Sequence, residues 1–190
     1  MHTLTRFPAR PAARGYTLVE LMAAVAIAGT LAAIAIPSYS TILQNTRRNA
    51  IVNDLVMSVL QAHSESASRG VTVAICPIGA DGACGSGADW SRGWMVFPDP
   101  DEDGQPGTEQ VLGKYRREGG IFHINAGLAH AAGRPVGVAF VRMVSHANTN
   151  GTFTVCDARG PSQARAVILA LDGGTRVSDR NASGGPLACP

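Results

Sequence analysis

The order of apolar and polar residues divides the chain into three parts. Residues 16–36 form an apolar run of 21 residues in which Glu20 is the one charged side chain. As a helix, this run would rise about 31 Å at about 1.5 Å per residue, which is enough to cross a bilayer core. Residues 38–69 continue with the spacing of an amphipathic helix, and residues 70–190 have the pattern of short strands.

The amphipathic segment is predicted to be the outer part of one long helix. Its apolar residues recur every three or four positions and therefore share one face. These residues are Ile51, Val52, Leu55, Val56, Val59 and Leu60. The polar residues assigned to the opposite, solvent-facing side are Arg47, Arg48, Asn53 and Asp54. Gly70 is expected to end the helix, and the apolar face is expected to pack under a head domain.

Short runs rich in Val, Ile and Phe follow Gly70, separated by Gly, Pro, Asn and Asp. The predicted strands are residues 71–76, 93–97, 110–115, 121–124, 136–144, 152–156, 164–171 and 175–178. Trp90 and Trp94 are expected to pack inside this part. The sequence therefore predicts an α+β fold in which a long N-terminal helix packs against antiparallel sheet.

The N-terminal charge predicts how the chain sits in a membrane. Residues 1–15 carry Arg6, Arg10 and Arg14 and no acidic residue. Basic residues before an apolar span predict a cytoplasmic N-terminus and export of the rest. A secretory signal peptide is disfavoured because no A-x-A-like site precedes a clear change to mature sequence. A plain anchor leaves Glu20 unexplained, since a carboxylate in hydrocarbon costs about 2.5 kcal/mol or more.

Charge is also uneven along the head. Residues 70–113 contain one basic and seven acidic residues, a net charge of −6. Residues 114–190 contain nine basic and four acidic residues, a net charge of +5. The C-terminal half is therefore the region in which the sequence would accommodate a polyanion.

All four cysteines follow the apolar run, and they are Cys76, Cys84, Cys156 and Cys189. An even number on the exported side favours two disulfides in an oxidising compartment. The alternative is a zinc site, but the spacings of 8, 72 and 33 residues do not form two closely spaced pairs. Four cysteines allow three pairings, and the residues alone leave that choice open.

The N-terminal residues resemble the class III signal of type IV pilins and type II secretion pseudopilins. A basic leader ends in Gly15, the next five residues are Tyr-Thr-Leu-Val-Glu, and the apolar run ends in Ile-Pro at Pro37. The resemblance implies cleavage between Gly15 and Tyr16 by prepilin peptidase, on the cytoplasmic face, and N-methylation of Tyr16. Tyr16 stands where these proteins usually have Phe, and because the aromatic ring is kept, we expect processing to be retained.

The same resemblance implies an assembly role for Glu20. Its carboxylate would pair with the α-ammonium of residue 16 in a neighbouring subunit, because a buried charge is tolerated when it is paired. The alternative is that Glu20 only reaches to the membrane interface. Pro37 lacks a backbone donor and is expected to kink the helix or open it locally.

Three blocks of the head resemble the GspH/FimT type of minor pilin and pseudopilin. They are CPIGADGAC at 76–84, DWSRGWMVFPDPDEDG at 89–104 and GTFTVCDARGPSQARAVILALDGGTRVS at 151–178. The resemblance implies a β-sandwich-like head and the disulfide pairs Cys76–Cys84 and Cys156–Cys189. Its partners would be other pilins or pseudopilins, prepilin peptidase and the inner membrane.

Two candidate sites lie in the predicted head. Asp99, Asp101 and Asp103 begin a D-x-D-x-D-G pattern typical of calcium loops, but Gln110 stands where the twelfth position needs Glu. A solvated acidic hairpin loop is the favoured interpretation, and calcium is the alternative; no other cofactor is expected.

The second candidate is a basic patch. Some relatives bind DNA through G-R-x-R on a C-terminal loop, and the matching stretch, 173–176, keeps Arg176 but has Gly174 in place of the first arginine. Arg165 and Arg180 are the compensating candidates. The favoured interpretation of these arginines is nevertheless that they are solvated surface charges.

The motifs of the common hydrolases, metalloproteases and nucleotide-binding proteins are absent, and we expect no enzymatic activity. The predicted organisation is a cleaved leader at 1–15, a membrane and assembly helix at 16–37, an amphipathic helix at 38–69 and a β-rich head at 70–190. The chain is expected to be a bacterial inner-membrane precursor with a periplasmic head. It would then join a pilus or pseudopilus, in a tip or priming complex, or serve there as a DNA receptor.

Overall fold

The computed structural model describes residues 15–85, 87–107, 111–117, 120–128, 138–141, 144–145 and 150–190. The chain forms two compact units, Met1–Leu43 and Gln44–Pro190. One helix, α1 (Leu18–Arg69), runs through the boundary between them. It ends at the residue before Gly70, whose φ of 68° suits glycine, as the sequence predicts.

In the first unit, α1 exposes nearly all of its side chains. The large apolar residues there include Leu18, Met22, Leu31 and Ile36, each more than 60% exposed. Among the described residues, α1 is the one helix long and apolar enough to span a membrane. The sequence predicts a kink or a local opening at Pro37; the α-helix continues through this residue, so it is not opened there, and the kink stays a prediction. A missing donor removes one bond of the ladder, and the bonds on either side maintain the helix.

The second unit contains two antiparallel sheets. The first has the strand order β3-β2-β1-β5-β6 and the second has the order β4-β7-β8-β9. The strands of the first are β1 (Val73–Pro77), β2 (Gly93–Pro98), β3 (Gly113–Arg116), β5 (Val138–Val141) and β6 (Val144–Ser145). The strands of the second are β4 (Phe122–Leu128), β7 (Gly151–Asp157), β8 (Arg165–Leu169) and β9 (Thr175–Ser178).

The main core of this unit joins one face of α1 to both sheets. Ile51, Leu55 and Val59 on α1 are no more than 1% exposed and share a cluster with Trp90 and Trp94. The expected packing of both tryptophans in the interior is confirmed, since each is 0% exposed. Each fully buried aromatic side chain removes on the order of 150–250 Å² from water, so these two contribute strongly to the core.

Two helix assignments made from the sequence are wrong. Arg48, assigned to solvent, is 4% exposed, and Leu60, assigned to the buried face, is 48% exposed. Ser58 and Ser66 are also buried, because the first accepts a hydrogen bond from Trp94 and the second donates one to the carbonyl of Phe140. The buried face of α1 is therefore partly polar. It includes Arg48 and excludes Leu60, so it is displaced around the helix axis from the face that hydrophobicity alone indicates.

Most strand predictions differ from the structure by one to four residues. The segment predicted as one strand over 136–144 contains β5 and β6, which pair through Phe140↔Ser145 and Val141↔Val144. Because β5 and β6 are antiparallel, the chain reverses direction between them, whereas the sequence predicted one continuous strand. The predicted strand 110–115 begins at a residue outside the described part, and β3 is Gly113–Arg116.

Candidate functional site

The N-terminal end of α1 is the first candidate site. The hydroxyl of Thr17 accepts a hydrogen bond from the backbone N–H of Glu20 at 3.2 Å, and the carbonyl of Thr17 accepts from Leu21 at 3.1 Å. Thr17 is therefore the N-cap, and Glu20 occupies the third helical position. An acidic residue there also interacts favourably with the positive end of the helix dipole.

This arrangement gives Glu20 a local role that the sequence analysis missed. The signal was available, because Ser or Thr followed three residues later by Glu is typical of a helix start. The hydrogen bond to Thr17 uses only the backbone of Glu20, so the favourable position of its carboxylate at the start of the helix comes from the helix dipole. Tyr16 is 87% exposed just before the cap, and the leader before Gly15 lies outside the described residues.

The C-terminal arginines are divided between two places. Arg165 and Arg180 line one cleft of about 410 Å³ together with Asp179 and the 3₁₀ turn Pro161–Gln163. Arg176 is not among the residues that line this cleft. It lies on β9 opposite Ile168, so it points to the face of the second sheet that carries the Cys156–Cys189 disulfide cluster.

The stretch that matches the DNA-binding motif forms a tight hairpin between β8 and β9. The N–H of Gly173 donates to the carbonyl of Ala170 at 3.0 Å, and the N–H of Ala170 donates to the carbonyl of Gly174 at 2.9 Å. Gly173 has a φ of 80° and is buried, so it serves the turn and not an exposed loop. The stretch singled out from the sequence is therefore a turn, and it presents one arginine, Arg176.

A buried arginine, Arg48, contacts the turn that lines this cleft. Arg48 donates to the carbonyl of Gln163, which ties α1 to the 3₁₀ turn. Burial lowers the pKa of Arg48, and the nearby charges of Arg165 and Arg159 lower it further. The hydrogen bonds from Arg159 to Asp157 hold the pKa of that carboxyl below its usual range. Three arginines, Arg48, Arg159 and Arg165, therefore lie near one another and near the buried carboxylate of Asp157.

A second basic cluster was not identified from the sequence. Arg92, Arg116 and Arg117 line a cleft of about 230 Å³ beside the loop 78–82. Arg117 forms a salt bridge with Asp54 at 2.8 Å and lies 5.4 Å above the centre of the Trp94 ring. The pairing of β2 with β3 brings Arg92 close to the other two arginines. Because Arg92 is more than twenty positions before them in the chain, the sequence alone does not indicate the cluster.

The cysteines pair as the resemblance implies. The Cα atoms of Cys76 and Cys84 lie 5.7 Å apart in one disulfide, and those of Cys156 and Cys189 lie 5.9 Å apart in the other. The second disulfide joins the C-terminal tail to β7, while the first closes the loop after β1. Two disulfides of this kind form and persist in an oxidising compartment.

The acidic loop brings all three predicted carboxylates together. One oxygen from each of Asp99, Asp101 and Asp103 lies within 4.8 Å of the other two. Asp99 is 3% exposed, and its burial raises the pKa of its carboxyl. Gln110, at the twelfth position, and Glu109, one place before it, lie outside the described residues. The solvated loop favoured from the sequence does not account for a buried Asp99.

Two family models match the chain. Residues 52–173 match the model for the type II transport protein GspH, and residues 10–36 match the prokaryotic N-terminal methylation motif. The chain is also 40% identical over 81 residues to the type IV major fimbrial protein FimA of Dichelobacter nodosus. That match spans 42% of this chain and 42% of the relative.

Two crystal structures of the type IV minor pilin FimU from Pseudomonas aeruginosa are similar to this chain. One is 14% identical, with a TM-score of 0.47, covering 72% of this chain and 98% of FimU. The other is 13% identical, with a TM-score of 0.49, covering 75% and 98%. Since the GspH model alone matches more than half of the chain, this protein belongs to the GspH family and carries the N-terminal methylation motif.

Proposed function

We propose that this protein is a structural, non-enzymatic minor subunit of a type IV pilus or type II secretion pseudopilus, in the tip or priming complex. One observation carries the proposal: a helix with exposed apolar side chains has an acidic residue, Glu20, in its first turn. An apolar surface of this length needs lipid or other apolar helices around it. A filament of packed helices supplies that environment after the subunit leaves the membrane.

Processing determines what Glu20 meets in the filament. Cleavage between Gly15 and Tyr16 at the cytoplasmic face would create a new α-ammonium group, which N-methylation of Tyr16 retains. The Glu20 carboxylate of one subunit then pairs with this group on its neighbour. Breaking a buried ion pair by removing one partner costs about 3–5 kcal/mol, so the pairing selects one axial position between subunits.

The proposal includes a membrane topology for the precursor and a route of assembly into the filament. The basic leader keeps the N-terminus in the cytoplasm, and the disulfide-bonded unit folds in the periplasm. The anchored precursor waits in the inner membrane until other pilins or pseudopilins draw it into the filament.

The proposal is tested by comparing Glu20→Gln with Thr17→Ala in cells that express the chain. We expect Glu20→Gln to insert into the membrane normally but to fall at least about tenfold in sheared filaments, because the ion pair is lost. Thr17→Ala removes the N-cap, which costs about 1 kcal/mol, but leaves the carboxylate in place. Immunoblots of membrane and filament fractions measure both effects.

The control separates the two roles of Glu20. If Glu20 acts only by stabilising the start of its own helix, Thr17→Ala, which weakens that start by at least as much, should reduce incorporation as much as Glu20→Gln does. Equal losses would therefore contradict the intersubunit pair. Normal incorporation of Glu20→Gln would also contradict the pair, and absence of the unaltered chain from filaments would favour a membrane-anchored periplasmic domain that never assembles.

A DNA receptor displayed on the same filament is the second candidate, favoured by the shared cleft of Arg165 and Arg180. If the cleft holds a DNA phosphate, the detergent-solubilised full chain should bind duplex DNA with an affinity that falls steeply with salt. Arg180→Gln should weaken binding, whereas Arg176→Gln, outside the cleft, should not. Absence of binding at low salt would eliminate this function and leave the structural role intact.

A further inference from the structure

The acidic loop begins where β2 ends. The N–H of Asp99 donates to the carbonyl of Thr72 at 2.8 Å, and the side chain of Thr72 donates to Glu102 at 3.0 Å. These two bonds hold the start and middle of the loop against the segment that leads from α1 into β1. The loop is therefore positioned by the fold.

Asp99 is an unusual residue to find at this position. It is 3% exposed, and one of its oxygens, Oδ2, accepts a hydrogen bond from the N–H of Gly104 at 3.2 Å. The other oxygen, Oδ1, is buried and has no N–H or hydroxyl donor among the described residues. Burial raises the pKa of Asp99, and the neighbouring carboxyl of Asp101 raises it further, as a second acid without an intervening cation does. A buried carboxylate oxygen without a partner is unfavourable, because it has lost its water without gaining a donor. A cation would satisfy it.

The three aspartates are spaced as ligands of a calcium ion would be. Their nearest carboxylate oxygens all lie within 4.8 Å of one another. Two oxygens that each lie about 2.4 Å from the same Ca²⁺ are at most about 4.8 Å apart.

We propose that Asp99, Asp101 and Asp103 bind a calcium ion. Among the residues that the structure describes, no Lys or Arg forms a salt bridge with any of them. Gly104, with a φ of 75°, occupies the sixth position, where calcium loops turn sharply and use glycine. The buried oxygen of Asp99 provides the fixed inner ligand, and the exposed Asp101 and Asp103 close over the ion.

The ligand count sets the expected affinity. Calcium takes about six to eight oxygens, and three carboxylates supply only part of that number. Water and backbone carbonyl oxygens complete the shell, and sites of this kind in exported proteins bind with Kd values on the order of 10⁻⁴–10⁻³ M. A site of this affinity is filled outside the cytoplasm and empty inside it. The ion would therefore bind only after the unit has been exported.

The test is a calcium titration of the full chain in detergent with both disulfides formed. Equilibrium dialysis with radioactive Ca²⁺ should give one ion per chain with a Kd on the order of 10⁻⁴–10⁻³ M. The midpoint of thermal unfolding should rise and then saturate with CaCl₂, and it should rise less with MgCl₂ at matched ionic strength. This measurement does not depend on whether the chain enters a filament.

Matched variants separate coordination from general negative charge. Asp101→Asn and Asp103→Asn each remove a charged ligand from an exposed position, and the amide oxygen introduced by Asp103→Asn would still accept the hydrogen bond from Gln105. We expect each to weaken calcium binding by at least about tenfold. Glu102→Gln removes the same charge from the same loop, lies outside the ligand set and keeps an acceptor for Thr72. It should weaken binding by less than about threefold.

Two results would overturn the proposal. One is the absence of saturable calcium binding up to about 10 mM, well above the affinity expected for such a site. The other is equal weakening by Glu102→Gln and Asp101→Asn, which would show that the loop only attracts counterions.

Discussion

A double-mutant cycle at Ser58 and Trp94 tests how α1 is held on the first sheet. The hydroxyl of Ser58 accepts a hydrogen bond from the indole nitrogen of Trp94 at 2.7 Å, and it donates to the carbonyl of Asp54 at 2.7 Å. Ser58 is 1% exposed and Trp94 is 0% exposed, so no water replaces either partner. The bond therefore joins the helix to β2 inside the core.

The magnitude follows from the group that is left unpaired. Ser58→Ala orphans the buried indole N–H, which costs about 1–3 kcal/mol. The loss of the bond to Asp54 is local to the helix, and the better helix propensity of Ala returns about 0.5 kcal/mol. The net loss in the free energy of unfolding should therefore be about 1–2 kcal/mol. In the Trp94→Phe background no N–H is orphaned, so Ser58→Ala should be close to neutral.

Urea unfolding of the full chain in detergent, followed by far-ultraviolet circular dichroism, measures all four corners of the cycle. We expect a coupling free energy of about 1–2 kcal/mol between the two sites. Ser68→Ala is the matched control, because Ser68 donates to a carbonyl of its own helix, that of Glu65, and is exposed. It should change stability by less than about 0.5 kcal/mol. A coupling near zero would refute the reasoning, since it would mean that the indole N–H has another partner.

Two further predictions concern a glycine and a buried acid. Gly173→Ala should destabilise the fold by about 2–3 kcal/mol in the same assay, because φ is 80° and the new Cβ would lie 3.2 Å from the Phe140 ring. Gly70→Ala also has a positive φ, at 68°, but meets nothing within 4 Å, and should cost about 1 kcal/mol; equal losses would rule out crowding. The lowered pKa of Asp157 means that its bonds with Arg159 stabilise the fold above the unfolded value of about 3.9 and are lost as pH falls through the folded pKa. Asp157→Asn should therefore flatten the fall in unfolding free energy below about pH 4, and an unchanged slope would contradict this.

Features that depend on local pattern were predictable from the sequence. The end of α1 at Gly70 follows from a glycine after a periodic segment, and β9 over 175–178 agrees with its prediction because turn residues flank it. The methylation motif is also local, since Gly15, Tyr16 and Glu20 are read directly from their order. Burial of Trp90 and Trp94 follows from their size and apolar surface.

Features that depend on tertiary contacts were not predictable in this way. Arg48 was assigned to solvent because its identity is polar, but its partner is a carbonyl 115 positions away in the chain. Arg176 lies outside the cleft because of the strand face that it occupies. That face can be assigned only when the pairing register of the strand is known. Burial of Asp99 depends on the segment around Thr72, which no pattern within the acidic loop reveals.

The central claim is that the chain is processed and enters a filament. The most direct measurement is the intact mass of the protein recovered from sheared surface filaments or pseudopili. The account predicts a chain that begins at Tyr16, carries one additional methyl group and retains two disulfides. A protein found only in the membrane fraction, with residues 1–15 still attached, would contradict it.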